Sequence, residues 1–100
     1  MPKTINTVTG PVSSDSLGKT YIHEHIRFGY SGCRGDLTVA PFDREEALAT
    51  CASVIKPLVD QYGLHTVVDA TPNDCCRDVL FAKAVAEQTG LNIISASGYY

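Results

Sequence analysis

Apolar and polar residues follow two different periods along this chain. Short runs rich in β-branched residues, Thr20 to His25, His65 to Ala70 and Asn92 to Ser97, are separated by longer segments in which apolar residues recur every three or four positions. A strand repeats every two residues and a helix every 3.6. The alternation therefore predicts strand, helix, strand, helix, strand, an α/β fold built of βα units. The second and third runs are nearly continuous in Val, Ile and Ala, as expected of strands buried on both faces, which predicts parallel pairing.

The helix ends are marked by local chemistry. Asp43-Arg44-Glu45-Glu46 places an acceptor three residues before a Glu, a capping box that satisfies amides left without an intrahelical partner. The stripe behind it is Ala47, Cys51, Val54, Ile55 and Leu58, and Gly63 ends the helix. Pro57 lacks an amide hydrogen and crowds the preceding turn, so a kink or a break is expected there. A second helix is expected from about Asp78 to Thr89, burying Leu80 or Phe81 with Ala84 and Val85, and stopping at Gly90. Gly63-Leu64-His65 and Gly90-Leu91-Asn92 both lead into a strand, a weak internal repeat of one βα step. At the amino end Ile5 to Thr9, turning at Gly10-Pro11, predicts a small hairpin that covers the end of the sheet.

Composition narrows the class of protein. One hundred residues amount to one domain's worth of chain. With 44% hydrophobic and 19% charged residues and a net charge of −3, the chain is too apolar for disorder and too acidic to attract nucleic acid by charge. No apolar run approaches the roughly 20 residues that span a bilayer, and Met1 to Asn6 hold no apolar leader, so a cytoplasmic protein without membrane contact is expected. Cys33, Cys51, Cys75 and Cys76 form no CxxC pair, and free thiols in a reducing compartment are the expectation.

Candidate chemistry lies at the strand ends. In Tyr21-Ile22-His23-Glu24-His25, His23 and His25 fall on one face of a strand with Cα atoms about 6.6 Å apart, and Glu24 falls on the other. That spacing lets two imidazoles meet one transition-metal ion; it equally suits two hydrogen-bonded core histidines. The pair lies at the carboxyl end of the first parallel strand, the edge where α/β barrels build their sites. Asp69 ends the second strand in phase with Val67 and Thr71, placed either to orient an imidazole or to bond to the backbone of the next loop. Asn73 or Asp74 is expected to cap rather than to catalyse, and His65, at the opposite end of its strand, to be structural or exposed. Cys75 and Cys76 lie near the mouth without a partner base, and Ser97 to Tyr100 leave the third strand where they could line a pocket or simply pack.

Taken in order, Gly18-Lys19-Thr20-Tyr21-Ile22-His23-Glu24-His25-Ile26, Thr66-Val67-Val68-Asp69-Ala70-Thr71-Pro72-Asn73-Asp74, Arg77-Asp78-Val79, Thr89-Gly90-Leu91-Asn92-Ile93-Ile94 and Gly98-Tyr99-Tyr100 resemble the opening of a phosphotriesterase-family protein of the amidohydrolase superfamily. The resemblance runs from Thr4 onward. It implies a metal-dependent (β/α)8 TIM barrel that hydrolyses organophosphate triesters, lactones or related esters. It also matches His23 and His25 to the family's first-strand metal ligands and Tyr100 to an aromatic of the substrate pocket. Two zinc ions per complete site are implied, joined by a hydroxide that attacks the scissile bond, with a small-molecule ester or lactone as substrate and a homodimer as the parent assembly. Cys76 departs from the pattern, since the family usually has glycine before the Arg-Asp pair.

A complete barrel takes roughly 250 residues, and this chain ends after its third predicted strand. The expectation is therefore that residues 1–100 are the amino-terminal βαβαβ portion of a single hydrolase barrel domain, with the bridging Lys or Glu, two more His and an Asp to come from later strands. The alternative is a barrel homologue or truncated product that binds or assembles without catalysis. Downstream sequence lacking those ligands would favour the second.

Overall fold

The computed structural model describes residues 1–29 and 42–97. The chain opens with a hairpin of β1 (Thr4–Thr7) and β2 (Gly10–Ser13), antiparallel with Ile5 opposite Val12. Its turn falls at Val8-Thr9, two residues earlier than the Gly10-Pro11 expected from sequence. Gly10, at φ +123°, closes the hairpin, and the Thr7 hydroxyl donates to its carbonyl at 2.6 Å. Pro11, which has no amide to give, then fits within a strand of a two-stranded ribbon, where one side goes unpaired.

β3 (Lys19–Glu24), α1 (Arg44–Tyr62), β4 (Leu64–Asp69), α2 (Val79–Thr89) and β5 (Asn92–Ser95) follow in the expected order. The three strands form a parallel sheet in the order β3-β4-β5, the βαβαβ arrangement anticipated from the hydrophobic pattern. Between Tyr21 and Glu24, β3 carries one more residue than β4 does between their partners Val67 and Asp69. The register slips between Tyr21 and Glu24, so strict alternation of faces is interrupted beside the histidines.

The helix ends are where the local chemistry puts them. Asp43 accepts from the Glu46 amide at 3.1 Å, Asp78 accepts from the Phe81 amide at 2.9 Å, and Gly63 and Gly90 close the two helices at φ 71° and 78°. α1 runs through Pro57 without a break. The proline and Ser53, whose carbonyl it leaves without a helical donor, both lie on the exposed side, where water can satisfy that oxygen.

The core is one cluster of Leu64, Val67, Phe81, Ala82, Val85, Ala86, Leu91 and Ile93, with a half-buried face of α1 laid against it. That face comprises Ala47, Leu48, Cys51, Ile55, Leu58 and Val59. Val54, expected in the stripe, is instead 61% exposed, because it stands about 100° round the helix from Ile55. Of the pair left open on α2, Phe81 is buried and Leu80 is 71% exposed. Burying these apolar side chains supplies the main driving force for docking helices on the sheet, at roughly 25 cal/mol per Å2 of apolar surface.

Two features hold the ends of the sheet. At the amino edge Gly18 adopts φ +61° so close to His65 that an added Cβ would stand 2.7 Å from the imidazole Cγ. At the carboxyl edge Arg27 pairs with Asp78 at 3.2 Å and lies 3.7 Å above the Phe42 ring, tying the loop after β3 to the starts of α1 and α2. The hairpin leans on the outer edge of β5, where the Val8 amide donates to the Ile93 carbonyl at 2.9 Å. Among the described residues no helix is long and apolar enough to cross a membrane.

Candidate metal centre

Parallel pairing brings the carboxyl ends of β3, β4 and β5 to one edge, and His23, His25 and Asp69 lie there. The imidazoles of His23 and His25 meet edge to face with ring centroids 5.2 Å apart. Two imidazoles bound to one ion at a tetrahedral angle, with metal–nitrogen distances of about 2.0–2.1 Å, would place their centroids about 5 Å apart, so the pair fits a shared cation. His23 is exposed and His25 half-buried, and the Phe28 ring packs edge-on against His25 with centroids 5.1 Å apart. Glu24 is exposed and turns its carboxylate back to accept from the His25 amide at 2.9 Å. Among the described residues no group of three or more His, Cys, Asp or Glu converges to hold a metal ion. The pair by itself offers two donors, fewer than the three or four protein ligands of a zinc site.

Behind His25 lies a buried chain of hydrogen bonds. Asp69 Oδ1 accepts from the Thr71 hydroxyl at 2.6 Å and from the Thr71 amide at 3.0 Å, and the same hydroxyl oxygen lies 2.9 Å from His25 Nδ1. Asp69 thus bonds to the backbone of the next loop, and the Thr71 hydroxyl stands between its carboxylate and the His25 imidazole. Val67, in phase with Asp69, packs in the cluster shared with α2. Sequence reasoning passed over Thr71 as a loop residue, although a hydroxyl two positions after an Asp is an ordinary signal for a side-chain turn.

The loops of the second and third strands are tied together by Arg77, whose guanidinium donates to the Ala96 carbonyl at 2.6 Å and to Asn73 Oδ1 at 3.4 Å. Asn73 and Asp74 sit inside a short 3-10 turn, Asn73–Cys75, and the cap of α2 falls to Asp78. His65 is exposed at the far end of β4, with Nδ1 3.0 Å from the Gly63 carbonyl. Tyr100, expected as a pocket wall, lies outside the described residues, as do Tyr99 and Cys33.

The cysteines depart from expectation. Cys51 and Cys75 are free, but Cys76 is disulfide-bonded, so the picture of four free thiols does not hold and the argument it lent to a reducing compartment falls with it. Cys76 also has φ 66° and ψ 31°, the left-handed conformation that favours glycine. The cross-link and the strained backbone meet at the position where the resembling family has Gly. Burial pushes the Cys75 thiol above its ordinary range, and the neighbouring Asp74 charge adds to it; burial does the same, alone, for Cys51. Neither is a ready nucleophile.

The sequence model of the phosphotriesterase family matches residues 3–100. A phosphotriesterase homology protein of Mycobacterium tuberculosis is 31% identical over the whole chain, which covers 30% of that protein. An aryldialkylphosphatase of Saccharolobus solfataricus is 29% identical across 89% of the chain and 28% of its own length, and an N-acetyltaurine hydrolase of Salmo salar is 29% identical across 96% and 35%. Among solved structures, an organophosphorus hydrolase from Deinococcus radiodurans superposes with a TM-score of 0.91 at 48% identity, over 99% of this chain and 31% of that one. The chain therefore spans about a third of the length of the relatives it matches.

Proposed function

We propose, since the chain belongs to the phosphotriesterase family, that it supplies the first two metal-ligating imidazoles of a hydrolase acting on lactone or organophosphate ester bonds. The observation that carries this reading is the His23–His25 pair, 5.2 Å between rings, at the carboxyl edge of a parallel sheet. Three of the relatives named above, the aryldialkylphosphatase, the N-acetyltaurine hydrolase and the organophosphorus hydrolase, bear hydrolase names, and the fold matches the family's barrel over its opening βαβαβ portion. His23 and His25 would hold a divalent transition metal, with zinc the natural ion for imidazole donors, and the remaining ligands of a two-ion site would come from strands beyond residue 100. Such an ion, when bound, polarises the scissile carbonyl or phosphoryl group and lowers the pKa of a water molecule.

The residues of this chain have narrower tasks. His23 and His25 offer neutral ring nitrogens, Thr71 and Asp69 hold the second imidazole from behind, and Arg77 keeps the loops after β4 and β5 in register with each other. Tyr100, which stands where the family has a pocket aromatic, would line the substrate side. The substrate is a small ester or lactone, and the assembly a homodimer of the complete protein.

The test uses the complete protein. Metal content and hydrolysis of a lactone and of a phosphotriester are measured for the wild type, His23→Ala and His25→Ala. Each variant is expected to lose about tenfold or more in metal affinity and most of its turnover. A wild type that retains no transition metal, or variants that hydrolyse as well as it does, would refute the reading.

A further inference from the structure

We infer that Thr71 is a positioning residue that holds His25 in the tautomer protonated at Nδ1, so that Nε2 offers its lone pair to a cation. This rests on the metal reading above. A hydroxyl has one proton and two lone pairs. The Thr71 oxygen has three neighbours: Asp69 Oδ1 at 2.6 Å, the Arg27 carbonyl at 3.2 Å and His25 Nδ1 at 2.9 Å. An ionised carboxylate and a carbonyl can only accept. The single hydroxyl proton goes to one of them, the carboxylate being much the nearer, and the remaining contact is satisfied only if His25 Nδ1 donates. The opposite tautomer would set two lone pairs against each other, or would turn the hydroxyl away from Asp69.

Burial makes that alternative costly. Thr71 is fully buried and Asp69 is 4% exposed, so a carboxylate deprived of its short hydroxyl bond has no water to replace it. The Thr71 amide, donating to the same Oδ1 at 3.0 Å, fixes the two residues relative to each other, and the Ala96 amide donating to the Asp69 carbonyl at 2.9 Å fixes them to the next strand's exit. The hydroxyl therefore faces His25 from a rigid base. A metal-binding imidazole needs its far nitrogen unprotonated and its ring held in one orientation, and a donor bond from the near nitrogen provides both.

The experiment is performed on the complete protein, stripped of metal and labelled with 15N-histidine, about two pH units above the usual imidazole pKa of about 6.5. Two-bond proton–nitrogen correlations identify the protonated nitrogen of His25. The wild type and Thr71→Ser are expected to show a single Nδ1–H tautomer. Thr71→Val, which keeps the shape and removes the hydroxyl, is expected to show both tautomers and to bind zinc about 10–100-fold more weakly, with Thr71→Ser returning to within a few fold of wild type. An Nε2–H tautomer in the wild type overturns the inference even if Thr71→Val does not fold, and so does a Thr71→Val spectrum identical to the wild type. A wild type that takes up no zinc refutes the metal reading instead, and is told apart because the tautomer pattern is recorded without metal.

Discussion

Gly18 shows how a single atom can set the end of a strand. With φ at +61° and the His65 ring where a Cβ would go, two separate penalties attach to any side chain there. Gly18→Ala is expected to lower the stability of the complete protein by about 1–3 kcal/mol, read from urea unfolding. Adding His65→Ala should recover only part of the contact cost, because it removes the ring but keeps the Cβ 2.8 Å away, and should leave the backbone part. Cys75 gives a second test at this scale. Burial and the Asp74 charge raise its thiol pKa, so the unfolded chain loses the proton first as pH rises. The stability this contributes is complete below the unfolded value of about 8.5 and is lost as pH climbs toward the folded one. Unfolding of wild type and Cys75→Ala from pH 8 upward should show a steeper fall for the wild type, and the native Cys75 should react slowly with alkylating reagents.

The helices show which parts of an element are local. Asp43, Gly63, Asp78 and Gly90 are recognised from sequence because a cap is an exchange of bonds within four residues. Asp78 does more than cap: besides accepting from the Phe81 amide, it pairs with Arg27 across 51 residues. Asp78→Asn keeps a capping oxygen and should cost less than about 1 kcal/mol, whereas Asp78→Ala loses cap and ion pair together and should cost about 1–2 kcal/mol, measured as a shift in thermal midpoint. The facing of a helix is less local. Val54 and Leu80 fit a helical stripe as well as Leu48 and Phe81 do, and only the direction from which the sheet and the second helix approach decides which are covered. Pro57 is likewise tolerated for its place on the exposed side of α1, which no local rule states.

At the scale of the molecule, the sheet among the described residues ends at β3 on one side and at β5 on the other. Among the described residues β3 has a strand on one side only, with Ile22 79% exposed and Tyr21 exposed beside it, and β5 has at its outer edge the lean of the hairpin, with the Val8–Ile93 bond. A free, apolar strand edge is a template for pairing with another chain. Residues 1–100 expressed alone are therefore expected to associate, to melt without a sharp transition and to lack hydrolase activity with added zinc or cobalt, since two imidazoles cannot complete a catalytic site. Light scattering, a thermal melt and lactone and phosphotriester assays check this; a monodisperse, cooperatively melting monomer with metal-dependent turnover would contradict it.

Sequence by itself determined the order of elements, the parallel sheet, the capped helix ends and the His-x-His pair with Asp69 at the next strand's end, because periodicity, caps and motif order are written in near neighbours. It misplaced the hairpin turn by two residues, since a Thr7–Gly10 bond and a positive φ, rather than the Gly-Pro pair, close it. It also expected free thiols where Cys76 is cross-linked, a pairing that spacing does not encode. Tertiary structure alone decided that Asp69 reaches His25 through Thr71. That contact joins residues 46 apart across a strand whose register slips between Tyr21 and Glu24, and such a meeting depends on how the sheet is assembled.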